Sequence, residues 1–216
     1  MSSKCAVVDY GSGNVFSVMH ALRSLGIEAD LSRDPEHIVT ADRVLLPGVG
    51  AFGRASQQLR SSGLDEAIGT FIETGRPFLG ICVGMQLLME EGYEFGTHPG
   101  MGIIPGTVDK IDIADDDGRR LRVPLIGWHA LAPPPGQDAG IFRGTPLEGV
   151  RDGDAYYFVH SFAVRPANPS AVLATVTHAG QQVPAAIRKG NVIGVQFHPE
   201  RSGEAGLALL DRFLKL

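Results

Sequence analysis

The feature that most constrains the fold is an alternation of short apolar runs with helical patterns in the first half of the chain. Compact apolar runs at residues 5–8, 44–46 and 77–81 have the length of buried strands. Between them, apolar residues at 15–25 and 64–74 recur every three or four positions, as on one face of a helix. Repeated strand, turn and helix units predict a parallel sheet covered by helices on both faces.

Two more elements complete this half. A strand is expected at 28–31, and a helix at 83–91 follows the strand at 77–81 almost without a loop. From about residue 101 the pattern changes to short strands and turns. The predicted strands are 107–113, 119–123, 156–164, 171–177, 185–188 and 192–197, followed by a last helix at 205–214. With 216 residues, we expect one α/β domain spanning 1–216, with a mixed, mostly parallel sheet flanked by helices.

Charge and cysteine content exclude several classes of protein. The chain carries 19 Lys and Arg against 24 Asp and Glu, which argues against a basic nucleic-acid-binding surface. Two cysteines cannot form a disulfide framework. No apolar stretch approaches the ~18 residues of a membrane span, and the first residues do not form a signal peptide. We therefore expect a cytoplasmic protein with no nucleic-acid or membrane partner.

Three ligand-binding patterns fail on inspection. GVGAFG at 48–53 matches the dinucleotide-binding glycine pattern, but the required acidic residue about 20 positions on does not close a second strand. The acidic segment 112–118 would put Ile113 and Pro124 at the end positions of a calcium loop, where carboxylates are needed. The seven histidines lack metal-ligand spacing. The sequence therefore predicts neither a cofactor nor a metal.

A cysteine bracketed by glycines is the most informative local pattern. Residues 80–84 read GICVG, so Cys82 lies between a predicted buried strand and a helix N-terminus. Small residues on both sides permit the tight, strained turn of a nucleophile elbow. The helix N-terminus stabilises a thiolate, and the N–H of Val83 is placed to stabilise an oxyanion. The alternative is a buried structural cysteine, a description that Cys5 fits, in the middle of an apolar strand.

A proton partner for Cys82 is expected at His198. Both residues follow the C-terminal ends of predicted strands, which share one edge of a parallel sheet. Pro199 would hold the link to Glu200 extended, so that the side chains of His198 and Glu200 face the same side. Glu200 would then orient the imidazole as the third member of a triad. His160, also at the end of a predicted strand, is a second candidate for the base.

These residues resemble the class I (triad) glutamine amidotransferases. The pair that carries the resemblance is GICVG around Cys82 and HPE at 198–200. Further segments are similar to the glutaminase subunits of imidazole glycerol phosphate synthases and span nearly the whole chain: DYGSGN at 9–14, PGVGAF at 47–52, GMQ at 84–86, GW at 127–128, YFVHS at 157–161 and FHPERSG at 197–203.

The resemblance implies hydrolysis of L-glutamine to glutamate and ammonia through a thioester on Cys82. It implies that backbone N–H groups of Val83 and Gly50 hold the oxyanion, and that a peptide flip around Val49 and Gly50 couples this activity to a partner. It also implies a set of glutamine-binding residues at the following positions: Gly48, Val49, Met85, Gln86, His160, Ser161 and Phe162.

The implied partner is a cyclase subunit of (β/α)₈-barrel type, in a heterodimer. It would join the ammonia to phosphoribulosylformimino-AICAR-phosphate and give imidazole glycerol phosphate and AICAR in histidine biosynthesis. Trp128, Tyr157 and Arg201 match interface positions of the family.

One segment departs from the family pattern. Residues 124–129 read PLIGWH where the family usually has PHMGWN, in a loop that faces the partner. This departure leaves open a glutaminase subunit that supplies a different synthase, for instance in surface-sugar biosynthesis. An inactive binding subunit that kept the fold is a further alternative.

Overall fold

The computed structural model describes residues 4–11, 14–112, 123–178 and 180–216. Its strands are β1 (Cys5–Val8), β2 (Ala29–Ser32), β3 (Arg43–Gly48), β4 (Phe78–Cys82), β5 (Glu91–Gly92), β6 (His98–Pro99), β7 (Gly106–Lys110), β8 (Leu125–Ala130), β9 (Ala155–His160), β10 (Phe162–Pro166), β11 (Val172–His178), β12 (Gln181–Lys189) and β13 (Val192–Val195). Its α-helices are α1 (Val15–Ser24), α2 (Pro35–Thr40), α3 (Phe52–Ser61), α4 (Leu64–Glu73), α5 (Val83–Gln86) and α6 (Gly203–Phe213). Short 3₁₀ turns cover Ala139–Phe142, Pro169–Ala171 and Pro199–Arg201.

A seven-stranded sheet forms the centre of the domain, in the order β11-β12-β13-β4-β3-β1-β2. The strands from β13 to β2 pair in parallel. β12 and β11 extend the sheet antiparallel at one edge. Every residue of β4 is buried, as expected for a strand covered on both faces. The mixed, mostly parallel sheet flanked by helices is therefore confirmed.

Two smaller sheets stand beside the central one. One has the order β10-β7-β5-β6, and the other is a ribbon of β8 and β9. The segment 124–129, which we expected to be a loop, contains β8, so that prediction was wrong. The ribbon has a buried inner face and a more exposed outer face, because side chains alternate along each strand.

Several predicted elements need correction. The helices α2 and α3 were missed, although residues 52, 55, 56 and 59 of α3 are buried at helical spacing. The strand expected at 156–164 is divided into β9 and β10 at Ser161. Residues 119–122 of the strand expected at 119–123, the end of 107–113 and the acidic turn at 115–118 lie outside the described residues, and Val123 lies in a bend.

The helix expected at 83–91 is also wrong, because α5 ends at Gln86. Leu87, Leu88 and Met89 are all completely buried, which no single helix face explains. Their backbone carbonyls instead accept hydrogen bonds from N–H groups of the segment 101–104. Long-range hydrogen bonds thus satisfy the backbone where the local pattern predicted a helix. No helix within the described ranges is long and apolar enough to span a membrane.

Candidate active site

Cys82 occupies a strained turn between β4 and α5. Its backbone angles are φ 55° and ψ −112°, a region that side chains other than glycine rarely adopt. A Cβ atom at Gly84 would lie 1.8 Å from the carbonyl oxygen of Leu46, and one at Gly80 would lie 2.6 Å from the carbonyl oxygen of Gly84. Only glycine fits at these two positions, so the tight elbow expected from the sequence is confirmed.

The source of charge stabilisation at this elbow differs from the expected one. Because α5 has four residues, its dipole is small compared with that of a long helix. What remains is a set of backbone N–H groups at the first turn, which have no partner within the helix. The N–H of Val83 is the first of them, directly after Cys82.

His198 reaches Cys82 because β13 and β4 are neighbours. The two strands pair in parallel with Val195 opposite Ile81, so both lead out at the same edge of the sheet. There the imidazole of His198 lies beside the Cys82 side chain, which acts to raise its pKa, and both residues line the same cavity. The Nδ1 atom of His198 lies 2.8 Å from Oε1 of Glu200. The structure therefore brings the three predicted triad residues into one row.

The link from His198 to Glu200 is different from the predicted one. Residues Pro199–Arg201 form a 3₁₀ turn instead of an extended link. The two side chains still meet, and they are 4% and 1% exposed. The contact is thus buried, which strengthens the electrostatic interaction between carboxylate and imidazole.

Burial lowers the pKa of His198, but its interactions with the side chains of Cys82 and Glu200 outweigh burial and raise the pKa to about 10. The imidazole is therefore protonated at neutral pH, beside the sulfur.

Burial lowers the pKa of His160 to about 4, and its Nδ1 hydrogen-bonds the carbonyl of Phe162 at 2.8 Å. His160 is thus neutral at pH 7 and held by the backbone, and with so low a pKa it is a weaker candidate for the base than His198. Burial raises the pKa of Cys5 to about 12, in keeping with an inert thiol.

A cavity of about 360 Å³ opens above Cys82. The predicted site residues that line it are Val49, Gly50, Cys82, Val83, Gln86, His160, Ser161, Phe162 and His198. A larger cavity of about 800 Å³ lies between α3 and the segment 94–99, and it does not include Cys82. The smaller cavity is the one with the reactive groups.

Two predicted glutamine-binding residues lie behind the cavity. A Cβ atom at Gly48 would lie 2.7 Å from the backbone nitrogen of Gly84, so this glycine lets β3 approach α5 closely. Met85 is completely buried and packs against Gly194 of β13. Both residues contribute to the packing around the elbow, and neither of them lines the cavity.

Two residues near Cys82 were missed from the sequence. Glu94 lines the cavity, and its Oε2 accepts a hydrogen bond from the backbone N–H of Phe52 at 2.8 Å. Gln196 is completely buried, and its Nε2 lies 3.7 Å from Sγ of Cys82. Glu94 lies in a turn that carries no sequence pattern. Gln196 was counted as part of the strand at 192–197, although β13 ends one residue before it.

The three predicted interface residues form one stack on the outer face of the β8–β9 ribbon. The rings of Trp128 and Tyr157 meet edge to face at 6.1 Å, and the guanidinium carbon of Arg201 lies 4.4 Å from the centre of the Tyr157 ring. Trp128 is 56% exposed, and Ile126 on the same face is 57% exposed.

Among the described residues, no group of three His, Cys, Asp or Glu side chains is arranged to hold a metal ion.

Comparison with known proteins agrees with this geometry. Residues 6–216 match the family described as glutamine amidotransferase class-I. The chain belongs to this family. Among curated relatives, the imidazole glycerol phosphate synthase subunit HisH of Rhodopirellula baltica is 43% identical over 207 residues, which cover 96% of this chain and 95% of the relative. The subunit HisH of Rhodospirillum rubrum is 44% identical, and the match covers 98% of both chains.

Solved structures show the same fold at lower identity. A glutamine amidotransferase crystal structure has a TM-score of 0.71 and 23% identity, covering 97% of both chains. The structure of PurLQS from Thermotoga maritima has a TM-score of 0.69 and 20% identity, covering 100% of this chain and 99% of that chain. The class I amidotransferase fold is therefore shared beyond the HisH relatives.

Proposed function

We propose that this chain is the glutaminase subunit of an imidazole glycerol phosphate synthase, with residues 1–216 as one amidotransferase domain. The observation that carries the proposal is the arrangement of Cys82 beside His198, with His198 hydrogen-bonded to Glu200, at the wall of a cavity. The relatives named HisH, similar over nearly the whole chain, support the choice of synthase. They also favour this function over a glutaminase for surface-sugar biosynthesis.

The first half of the reaction forms a thioester. The Cys82 sulfur attacks the side-chain amide carbon of glutamine, and a carbon–sulfur bond forms as the carbonyl oxygen takes negative charge. Backbone N–H groups of Val83 and Gly50 stabilise this oxyanion; one such donor contributes roughly 10²–10³ in rate. His198 then donates its proton to the nitrogen, the carbon–nitrogen bond breaks, and ammonia leaves.

The second half releases glutamate. His198, now neutral, takes a proton from water, and the hydroxyl oxygen attacks the thioester carbon. The carbon–sulfur bond breaks, and the sulfur of Cys82 leaves as a thiolate beside the reprotonated imidazole. Glu200 holds Nδ1 of His198 throughout, so that the other ring nitrogen faces the sulfur.

The backbone angle of Gly50 supports its assignment to the oxyanion loop. Its φ angle is +90°, and a Cβ atom there would meet nothing within 4 Å. Glycine is therefore required by the backbone angle and not by lack of space. Glycine at position 50 lowers the steric cost of a flip of the peptide between Val49 and Gly50, which would add or remove an oxyanion donor in response to the partner.

The amino-acid end of glutamine is assigned to the lining residues Glu94, Gln86, Ser161 and Phe162. Glu94 offers a carboxylate to the α-ammonium group, while Oε2 also anchors the oxyanion loop through Phe52. Ser161 and Phe162 also line the cavity. Nε2 of Gln86 is already bonded to the Phe162 carbonyl and to Gln196, so its amide oxygen is the atom left for the substrate.

The partner is assigned as a (β/α)₈-barrel cyclase that docks on the outer face of the β8–β9 ribbon, in a cytoplasmic heterodimer. Two of the departures from the family pattern in β8 lie on the inner face of the ribbon, and one lies on its outer face. Leu125 is buried opposite His160, and His129 packs its ring edge to face against Phe158 on the inner face. Ile126 is exposed. The departure therefore changes the interface at Ile126, and it leaves the Trp128 stack in place.

The purified chain tests this function directly. We expect slow hydrolysis of glutamine by the chain alone and a strong acceleration when the cyclase and its nucleotide substrate are added. Cys82→Ala should abolish both rates, and Cys5→Ala should keep both. The gene should also restore growth of a histidine auxotroph that lacks its own glutaminase subunit. Hydrolysis without complementation would favour a different synthase, and absence of hydrolysis with the partner would indicate an inactive subunit.

A further inference from the structure

A buried amide lies against the sulfur of Cys82. Gln196 follows β13, is 0% exposed, and places its Nε2 3.7 Å from Sγ of Cys82. Its backbone N–H is bonded to the carbonyl of Ala185, which fixes the residue to the central sheet. Burying an amide costs folding free energy unless its polar atoms have hydrogen-bond partners. The contact with the sulfur provides one such partner for Gln196.

The orientation of this amide follows from a chain of two hydrogen bonds, from the Phe162 carbonyl to Gln86 and from Gln86 to Gln196. The carbonyl oxygen of Phe162 accepts a hydrogen bond and cannot donate one, so the Gln86 atom that faces it at 3.1 Å is the NH₂ group. The same NH₂ group lies 3.0 Å from Gln196, so the Gln196 atom facing it is the amide oxygen. The NH₂ group of Gln196 is thereby left to face Cys82.

Two polar side chains of different kinds therefore lie beside the sulfur, His198 and Gln196. His198 donates a proton that it gives up and regains during the reaction, whereas the amide of Gln196 keeps its protons at every pH the enzyme meets. A hydrogen bond to an ionised acceptor is stronger than one to a neutral acceptor. The amide thus stabilises the thiolate more than the thiol or the thioester sulfur.

We propose that Gln196 is a thiolate-stabilising residue of the glutaminase, oriented toward Cys82 by Gln86 and the carbonyl of Phe162. This inference rests on Cys82 being the nucleophile of the proposed function. Gln196 transfers no proton and makes no bond to glutamine. Its action lies in holding the sulfur ionised and aimed into the cavity before glutamine arrives.

The test follows the alkylation of Cys82 by iodoacetamide from pH 5 to pH 9, with peptide mass spectrometry to assign the modified residue. Cys5 does not interfere, because burial raises the pKa of its thiol to about 12. Gln196→Met keeps the length of the side chain and removes the donor. Gln196→Glu keeps its shape and replaces the donor by an acceptor. Thr175→Val, which removes a buried hydroxyl on β11, is the matched control for loss of a buried polar group.

We expect the pH midpoint of Cys82 alkylation to rise by about one unit in Gln196→Met and further in Gln196→Glu. The maximal alkylation rate at high pH should not fall, because a thiolate without this donor is at least as nucleophilic. The kcat for glutamine hydrolysis in the complex should fall about tenfold, with KM changed by less than about twofold. Thr175→Val should leave the midpoint and kcat unchanged.

The outcomes separate this inference from the proposed function. If wild-type Cys82 is not alkylated near neutral pH, the nucleophile itself is wrong. If the wild-type residue reacts there, and both Gln196 variants share its midpoint and kcat, the role of Gln196 is refuted while the glutaminase stands. A lower maximal rate with an unchanged midpoint would assign Gln196 to packing alone. The near-isosteric glutamate variant keeps the test available if the methionine variant does not fold.

Discussion

Substitution of Gly84 by alanine should disable the elbow, because the added atom has no room. The new Cβ would lie 1.8 Å from the carbonyl oxygen of Leu46, and real Cβ atoms essentially never approach another atom within 3.0 Å. Leu46 belongs to β3 and pairs with Gly80 of β4, so its carbonyl is fixed in the middle of the sheet. The helix α5 must therefore move away by more than an ångström, and the backbone of Cys82 moves with it.

The size of the effect follows from two costs. Overpacking a core costs about 1–3 kcal/mol, and a clash with fixed backbone belongs at the upper end of that range. For a domain of this size, a loss of about 2–3 kcal/mol lowers the Tm by roughly 5–10 °C. A displacement of about 1 Å at a reacting group reduces the rate by about 10². We expect Gly84→Ala to show both effects.

Gly69 provides a matched control within the same fold. It lies inside α4, and a Cβ atom there would meet nothing within 4 Å. The gain in helix propensity, about 0.5–1 kcal/mol, is then unopposed, so Gly69→Ala should raise the Tm by roughly 2 °C and leave the rate unchanged. Thermal unfolding measures the Tm of the two variants, and glutaminase assays measure their rates. A Gly84→Ala variant with wild-type Tm and rate would refute the steric account of the elbow.

Three further predictions address acid stability, the core and the interface. The folded pKa of His160 is about 4, below its ordinary value of 6.5, so the unfolded chain binds the extra proton as the pH falls from 6.5. The free energy of unfolding should decrease by about 3 kcal/mol by pH 4, and His160→Asn should reduce this loss in urea titrations. Asn191 donates from Nδ2 to the carbonyls of Ile72 and Arg76, so Asn191→Ala should cost about 1–2 kcal/mol in the same titrations, and no loss would contradict the bridging role. Trp128→Ala should weaken cyclase binding at least about tenfold in calorimetry with an unchanged Tm, and unchanged affinity would move the interface elsewhere.

The main features of the site were predictable from one local pattern and one general rule of parallel sheets. Glycines around Cys82 indicate an elbow wherever they follow a buried strand, and the C-terminal ends of parallel strands share one edge of the sheet. The direct pairing of β13 with β4 was not predicted. The contact between His198 and Glu200 was predicted from an extended link, and it forms through a 3₁₀ turn instead. Side chains two positions apart can meet in either geometry. The predicted contact was therefore correct, and the predicted backbone conformation was wrong.

The features that were missed depend on contacts between distant parts of the chain. Residues 87–89 leave the helix because the segment 101–104 supplies hydrogen bonds to their carbonyls, and no periodic pattern records that pairing. Glu94 reaches the cavity through its bond to Phe52, 42 positions away. Gln196 is separated by 110 positions from Gln86, which orients it. Polar residues of this kind show their function only once the fold has placed them.

The central claim is that the sulfur of Cys82 attacks a bound glutamine. The most direct measurement is labelling of the purified chain, together with its cyclase partner, by a diazoketone analogue of glutamine, followed by peptide mass spectrometry. The account predicts one label per chain, on Cys82, slowed by glutamine, lost in Cys82→Ala and matched by complete loss of glutaminase activity. A label on another residue, or glutamine hydrolysis that persists in Cys82→Ala, would contradict it.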